Sequence, residues 1–278
     1  MARIPFGIAR LDSIVGGGAP PGSVVLLVGE AGAGAREFAY TSAAMNGLYH
    51  GDRDAFTLHY GDVESGATPP EEIHYVSFTT GRDHLERELA YTMNEDLAGM
   101  AVDHVQFRDL SPEYFQLSPI PREWYAGATR TVEDLATRER RESALSALGD
   151  YLGEHAAGNL VVVDSVTDLV AAISDDMSLS DIALVMKGIQ KVAHQWGGLI
   201  LLLVQEETLD PTALGHLMDA TSGTFQFEWE TGGSKRARTM FVKEFRGVLS
   251  RLEAENIIRF ETEIHEGGFD VSGVRKIR

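Results

Sequence analysis

Residues 23–40, SVVLLVGEAGAGAREFAY, join an apolar run to a glycine-rich segment and then to a helical pattern. Residues 24–28 are continuously apolar, which is typical of a strand buried on both faces of a sheet. The glycines within residues 29–34 permit a tight turn, and the spacing then predicts a helix over residues 36–46. The stretch therefore predicts a strand, a glycine loop and a helix in direct succession.

This order is the setting of a phosphate-binding loop, Gly-x-x-x-x-Gly-Lys-Ser/Thr, in which backbone N–H groups surround the phosphates. The lysine of that pattern neutralises the terminal phosphate and the hydroxyl holds magnesium. Here Ala35 stands at the lysine position and Arg36 at the hydroxyl position. The loop alone leaves open an ordinary strand-to-helix turn. The predicted phosphate-binding residues are Gly29, Glu30, Ala31, Gly32, Ala33, Gly34, Ala35 and Arg36.

Length and composition favour one soluble globular domain over residues 1–278, with 44% hydrophobic and 24% charged residues. The chain has no cysteine, which excludes disulfides, thiolate metal sites and cysteine nucleophiles. No apolar run approaches the roughly 20 residues that span a bilayer, and the first residues lack the apolar segment of a signal peptide. We expect a cytoplasmic protein without a membrane partner.

The chain carries a net charge of -18, from 42 acidic and 24 basic residues. Such a surface repels nucleic acid and anionic lipid, so DNA is not the expected partner. An acid-rich, lysine-poor composition suits a protein that stays soluble in concentrated salt, where self-repulsion is screened. The composition therefore predicts a halophilic protein.

The segment before and through the glycine loop, RIPFGIARLDSIVGGGAPPGSVVLLVGEAGAGAREF, resembles the start of KaiC-type domains in the RecA superfamily. The resemblance extends over residues 3–274 and implies an archaeal, single RecA-like α/β domain. Its central, mostly parallel twisted sheet would be flanked by helices and followed by antiparallel strands. The matching residues are Gly7, Leu11, Asp12, Gly16, Gly17, Gly18, Pro20, Gly22 and Ser23.

KaiC-like domains carry adjacent glutamates after their second strand, one of which activates the attacking water. This sequence has Thr79 and Thr80 after the strand predicted at residues 73–78. A threonine hydroxyl is not a general base near neutral pH, so the proton acceptor is absent unless Glu86 or Glu30 replaces it. A misalignment of one or two residues is the alternative. Asp83 and Glu86 also form a predicted capping box for the next helix.

Two stretches are not expected to contribute to a site. Residues 49–72 show little periodicity and are predicted to be a surface loop inserted relative to the family pattern. Residues 138–141 contain three arginines, but acidic residues surround them. A solvated, salt-bridged helix face is favoured there over a nucleic-acid patch.

NLVVVDSVTDL, residues 159–169, is an apolar run that ends in Asp164, as the strand of a Walker B motif ends. Because open α/β sheets bind ligands at the carboxyl ends of their strands, Asp164 is the candidate to orient a magnesium-bound water. The next buried strand, residues 199–204, ends in Gln205, which the resemblance makes a candidate sensor of the terminal phosphate. The alternatives are a plain strand-to-loop cap for Asp164 and a solvated strand end for Gln205.

The carboxyl-terminal part is predicted to form antiparallel strands at residues 224–229, 238–245 and 257–265. RTMFVKEFRG resembles a family strand whose basic residues reach the neighbouring subunit's nucleotide in ring-forming members. The candidates here are Lys243 and Arg246, with Glu244 as an alternative occupant of the lysine position. Lys235 and Arg236 add to this basic stretch, and a DNA contact or a charge-protected edge strand are the rival interpretations.

Together these features predict a degenerate KaiC-like domain that acts as a nucleotide-responsive or scaffolding regulatory module with lost or residual ATP hydrolysis. Weak ATP or ADP binding with little use of magnesium is expected, together with a homo-oligomer or a protein partner. One alternative is a working ATPase in which Arg36 replaces the lysine. Another is a recombination-type paralogue that binds DNA with a partner.

Overall fold

The computed structural model describes residues 2–116, 118–125, 144–171, 179–230 and 237–276. The segments 138–141 and Lys235–Arg236 that the sequence analysis singled out lie outside these ranges. The helices are α1 (Ala9–Val15), α2 (Ala35–Gly51), α3 (Arg53–His59), α4 (Arg82–Thr92), α5 (Glu95–Val102), α6 (Ser111–Phe115), α7 (Ala144–His155), α8 (Val166–Ala171), α9 (Leu179–Trp196), α10 (Pro211–Asp219) and α11 (Leu249–Ala254), with short 3-10 turns at Arg122–Trp124 and Glu206–Thr208.

The described residues form one sheet of nine strands in the order β3-β2-β4-β5-β1-β6-β7-β8-β9. Neighbours from β3 to β6 run parallel, and those from β6 to β9 run antiparallel. The strands are β1 (Ser23–Gly29), β2 (Ile73–Ser77), β3 (Val105–Asp109), β4 (Leu160–Asp164), β5 (Leu199–Gln205), β6 (Gly223–Glu230), β7 (Ala237–Phe245), β8 (Ile257–His265) and β9 (Gly268–Lys276).

The central strands are buried on both faces, which explains their unbroken apolar sequences. All seven residues of β1 are buried. Successive side chains point to opposite faces, so Val25 and Leu27 enter one core while Val24 and Leu26 enter the other. One core packs α1, α2, α4 and α5 on the sheet, and the other packs α7, α9 and α10.

Several local predictions need correction. Residues 224–229 are predicted to belong to an antiparallel set, but the strand they form, β6, pairs parallel with β1 and antiparallel only with β7. The predicted surface loop at residues 49–72 begins inside α2 and contains α3, whose N-cap Asp52 accepts hydrogen bonds from two backbone N–H groups. A side-chain cap of this kind stabilises a short helix that apolar periodicity does not reveal.

The predicted capping box does not form. The N-cap of α4 is Gly81, which has no side-chain cap, and Glu86 instead pairs with Arg82 one turn away at 2.9 Å. Two helices follow it, because the Asn94 side chain accepts hydrogen bonds from the backbone N–H groups of Asp96 and Leu97 and so caps a new helix.

This topology brings the carboxyl ends of β1, β2, β4 and β5 to one edge of the sheet, where parallel α/β sheets bind ligands. The glycine loop, Asp164, Gln205 and the two threonines all follow those strand ends. Among the described residues, no helix is both long and apolar enough to cross a membrane.

Candidate functional site

The glycine loop links the end of β1 to the start of α2, and its glycines are required by close approaches. Gly34 has φ of +116°, and a Cβ there would lie 3.0 Å from the ring of Phe269. A Cβ on Gly29 would lie 2.7 Å from the Cβ of Ala35. Gly34 is the N-cap of α2 and provides no side-chain cap. A cleft lies beside the loop at the carboxyl ends of β1 and β5. The first turn of α2 therefore presents the positive end of a helix dipole and backbone donors to this cleft.

Side chains from β6 and β7 hold the outer side of this loop. The backbone N–H of Trp229 donates to Glu30 Oε2 at 3.0 Å, and Trp229 Nε1 donates to the carbonyl of Ala31 at 3.0 Å. Arg238 Nε donates to the carbonyl of Gly32 at 3.0 Å, and its guanidinium lies 4.6 Å from the Trp229 ring centroid. The three consecutive loop residues 30–32 are thus hydrogen-bonded to β6 and β7.

A carboxylate holds the same loop from the β5 side. Glu207, on the 3-10 turn after β5, accepts a 2.9 Å hydrogen bond from the backbone N–H of Ala31. The side-chain amide of Gln205 donates to the other oxygen of Glu207. Gln205, the candidate phosphate sensor, therefore lines the cleft, but its side-chain amide already donates a hydrogen bond to Glu207.

The Walker B position is occupied by an ion pair between a buried carboxylate and a half-exposed arginine. Asp164 is 7% exposed and uses both carboxylate oxygens. Its Oδ1 accepts from Arg36 Nη2 at 2.9 Å, and its Oδ2 accepts from Tyr75 Oη at 2.7 Å. Arg36 stands in the first turn of α2, where a cation is unfavourable against the helix dipole unless an anion is near. The anion beside it here belongs to the chain itself.

Two tyrosines surround this pair. The rings of Tyr40 and Tyr75 stack with centroids 5.8 Å apart, and Tyr40 lies one turn after Arg36 on α2. Burial, followed by the charge of Asp164, raises the pKa of Tyr75 well above its ordinary value. Burial alone would lower the pKa of Arg36, but the charge of Asp164 raises it. The arginine is therefore a permanent cation and the tyrosine a permanent proton donor.

Beyond Asp164, the chain turns through a cis peptide bond to Ser165. Ser165 Oγ donates to Asp168 Oδ2 at 2.8 Å, and the Ser165 backbone N–H donates to the same oxygen at 3.2 Å. Burial raises the pKa of Asp168. This turn places Ser165 at the wall of the cleft.

Thr79 and Thr80, at the positions of the family's glutamates, form hydrogen bonds with nearby Ser77. Thr80 Oγ1 lies 2.9 Å from Ser77 Oγ, and the backbone N–H of Thr79 donates to Ser77 Oγ. Of the two replacements suggested from the sequence, Glu86 lines a different groove and Glu30 is bound to Trp229. Glu88, which the sequence analysis did not select, is the carboxylate of α4 that reaches the cleft.

The cleft encloses about 250 Å³ and carries more negative than positive charge. Within the described ranges its single lining cation is Arg36, which is already paired with Asp164. Three carboxylates, Glu30, Glu37 and Glu88, line it as well. The described residues that line it are Gly29, Glu30, Gly32, Gly34, Ala35, Arg36, Glu37, Glu88, Ser165, Leu203, Val204 and Gln205.

Lys243 and Arg246, the candidates to reach a neighbouring subunit's nucleotide, do not line this cleft. Lys243 and Arg246 are exposed at the end of β7 and just after it. Neither side chain forms a salt bridge with a residue in the described ranges. They are accessible to a second molecule, and they do not contact the glycine loop of their own chain.

Sequence reasoning missed the residues that complete the site from other elements. Tyr40 could have been found, since it lies four positions after Arg36 on a predicted helix. The others depend on strand register and loop geometry, which periodicity does not specify. They are Tyr75, Glu88, Glu207, Trp229 and Arg238.

No protein-family model matches the chain, and no curated protein matches it. Solved structures do match. The flagellar accessory protein FlaH from Methanocaldococcus jannaschii is 15% identical, with 96% of each chain covered and a TM-score of 0.56.

The KaiC-like protein PH0186 from Pyrococcus horikoshii is 16% identical, with 98% of this chain and 99% of that chain covered and a TM-score of 0.61. At sequence identities this low, structural similarity shows the fold alone. It confirms the predicted fold class, and the chain has the RecA-like P-loop fold of KaiC-like proteins.

Proposed function

We propose that this protein is a degenerate KaiC-like domain that acts as a nucleotide-responsive or scaffolding regulatory module, with ATP hydrolysis lost or residual. The observation that carries the proposal is the Arg36–Asp164–Tyr75 network. Both oxygens of the Walker B carboxylate are occupied by donors of the chain, where an ATPase needs that carboxylate to orient a magnesium-bound water.

The donor set does not suit magnesium. An arginine stands where a hydroxyl ligand is needed, and Asp164 would have to give up an ion pair to reach a metal. Magnesium is bound through carboxylate oxygens, substrate phosphates and water, and a guanidinium offers only donors. We therefore assign no step to a metal ion in this protein.

The charge of the cleft also opposes a polyphosphate. Without a lysine at position 35, the site lacks one charge-assisted phosphate contact, worth roughly 1.5–3 kcal/mol. The carboxylates Glu30, Glu37 and Glu88 would face the incoming anion. The backbone donors at the start of α2 remain, so weak binding of phosphate groups is expected there.

Calorimetric titration with ATP in high salt, with magnesium and with a chelator, tests this proposal. We expect weak binding of similar affinity in both conditions. Tight binding that disappears with the chelator would overturn it. Mass spectrometry of nucleotide that copurifies with the protein provides an independent measurement of occupancy.

A working ATPase is the second candidate, favoured by two features of the cleft. The Arg36 side chain is 54% exposed, so part of its guanidinium remains accessible to a phosphate. Glu88 offers a carboxylate in the same cleft, where a general base would have to lie. Phosphate release that Arg36→Ala abolishes would support this candidate.

We further propose that the protein works in a homo-oligomer or with a protein partner, and in the cytoplasm. The exposed Lys243 and Arg246 support a contact with a neighbouring subunit's nucleotide. Light scattering in high salt that shows only monomer, with and without ATP, would remove this role. A recombination-type function would require DNA binding, which a net charge of -18 opposes; a salt titration of DNA binding tests it.

A further inference from the structure

The helices α4 and α5 form a groove at the surface. It is lined from α4 by Asp83, Glu86, Arg87 and Ala90, and from α5 by Glu95, Ala98, Gly99 and Val102. The groove encloses about 610 Å³, more than twice the volume of the cleft beside the glycine loop. It needs neither nucleotide nor the glycine loop, so it is separate from the function proposed above.

The floor of the groove is small and apolar. Ala90, Ala98 and Gly99 offer no side chain beyond Cβ, and a Cβ placed on Gly99 has no heavy atom within 4 Å. The large apolar residues of these helices, such as Leu85 and Leu89, face the core. A partner's backbone or apolar side chains can therefore approach the helices closely.

The walls of the groove are acidic. Asp83, Glu86 and Glu95 line it, and Arg87 is the one cation among the described residues of the lining. Glu86 is paired with Arg82, whereas Asp83 and Glu95 form no salt bridge with a residue of the described ranges. The face therefore carries a local excess of negative charge around its apolar floor.

Large apolar side chains also lie exposed on this helix pair. Tyr91 on α4 is 81% exposed and Met100 on α5 is 39% exposed. Aromatic residues and methionine are enriched in protein interfaces, and exposing them to water without a partner is unfavourable. Neither side chain lines the groove, so the apolar contact area for a partner is the floor formed by Ala90, Ala98, Gly99 and Val102.

We propose that the α4–α5 groove docks a basic amphipathic helix of a protein partner. Its apolar face would pack on the floor at Ala90, Ala98 and Gly99, in the helix-in-groove mode of recognition. Its lysines or arginines would meet the carboxylates of Asp83, Glu86 and Glu95. Charge complementarity selects a basic helix over an acidic one and speeds the encounter.

The test uses a fluorescein-labelled, 18-residue helical peptide with leucine and alanine on one face and lysine on the other. A matched peptide carries glutamate in place of every lysine. Binding is measured by fluorescence anisotropy at the lowest salt concentration at which circular dichroism shows the protein to be folded.

The first variant is Gly99→Leu, which fills the groove. It is expected to leave the fold intact, because the site is open and leucine is a better helix former than glycine. We expect it to weaken binding of the lysine peptide about tenfold or more, equivalent to at least about 1.4 kcal/mol. Gly149→Leu on α7, where a Cβ also has no neighbour within 4 Å, is the matched control and should change affinity less than about twofold.

A second pair of variants tests charge. The double change Asp83→Asn with Glu95→Gln should weaken binding several-fold, since two facing carboxylates are lost. The double change Glu253→Gln with Glu263→Gln removes the same net charge at exposed positions elsewhere and should have little effect. If the lysine peptide does not bind, if the glutamate peptide binds equally well, or if Gly99→Leu leaves affinity unchanged, the proposal is wrong.

Discussion

Arg36 and Asp164, 128 positions apart in the chain, are joined by a 2.9 Å hydrogen bond between Nη2 and Oδ1. The arginine comes from the first turn of α2 and the aspartate from the end of β4. Under the function proposed above, this contact within the protein takes the place of contacts to phosphate and magnesium. We therefore expect substitutions of these two residues to change both stability and ligand binding.

The first prediction concerns the stability of this pair. Arg36→Met leaves the buried carboxylate of Asp164 without its cation, so we expect the free energy of unfolding to fall by about 1–3 kcal/mol. Combining Arg36→Met with Asp164→Asn should recover part of that loss, because no unpaired charge remains. Urea unfolding of the wild type, the two single variants and the double variant in high salt measures the coupling.

Arg82→Met is the control for that measurement. Arg82 pairs with Glu86 on the exposed face of α4 at the same 2.9 Å distance. An exposed pair four residues apart on a helix contributes only about 0.3–0.5 kcal/mol. Equal losses for Arg36→Met and Arg82→Met would show that the buried Asp164 carboxylate does not depend on its arginine.

The second prediction concerns pH and Asp12. This side chain is fully buried and accepts hydrogen bonds from the backbone N–H groups of Phe6, Gly7 and Ile8 and from the Tyr60 hydroxyl. Burial raises the pKa of Asp12 to about 7, although these hydrogen bonds oppose the shift. Between the ordinary value of 3.8 and about 7, the folded protein then binds more protons than the unfolded chain.

The contribution of Asp12 to the free energy of unfolding must therefore fall as the pH rises from about 4 to about 7, and it stays level above pH 7. The slope approaches about 1.4 kcal/mol per pH unit. Urea unfolding between pH 5 and 8 should show that slope as a difference between the wild type and Asp12→Asn. Asp62→Asn, an exposed substitution, should show no such difference. A wild-type curve parallel to that of Asp12→Asn would contradict the prediction.

The third prediction concerns salt. With a net charge of -18, repulsion between carboxylates destabilises the folded state at low ionic strength. The Debye length falls from about 10 Å at 0.1 M to about 3 Å at 1 M, so Tm should rise over that range. Sodium and potassium chloride should act alike at equal ionic strength. A Tm that stays constant or falls would remove the halophilic interpretation.

The fourth prediction separates a lost site from a repurposed one. Ala35→Lys with Arg36→Thr rebuilds the phosphate and magnesium contacts and releases Asp164 from its ion pair. We expect magnesium-dependent ATP binding but little turnover, because Thr79 and Thr80 supply no base. Ala35→Met with Arg36→Thr, which adds length without charge, is the matched control for binding.

Adding Thr79→Glu and Thr80→Glu to the repaired loop should raise hydrolysis far more than either pair of changes alone, since residues that act as a unit are non-additive. The measurement is single-turnover phosphate release in high salt from the wild type, each double variant and the quadruple variant. If the wild type already hydrolyses ATP and Arg36→Ala abolishes that rate, the working-ATPase candidate replaces the proposal.

The sequence by itself determined the order of the central elements. The continuous apolar runs before Gly29 and Asp164 predicted strands buried on both faces, and the structure has both as parallel neighbours of β5. It also identified Ala35 and Arg36 at the positions of the lysine and the hydroxyl. These features are local, because strand burial and loop spacing are encoded in consecutive residues.

Only the tertiary structure decided what Arg36 does. Its ion pair with Asp164 and the hydrogen bond from Tyr75 join three elements far apart in sequence, and no period or motif specifies that register. The same holds for Glu88, which a helix rotation places in the cleft while Glu86 faces the α4–α5 groove. Side-chain contacts between distant elements depend on how helices and strands pack, which a single sequence pattern does not encode.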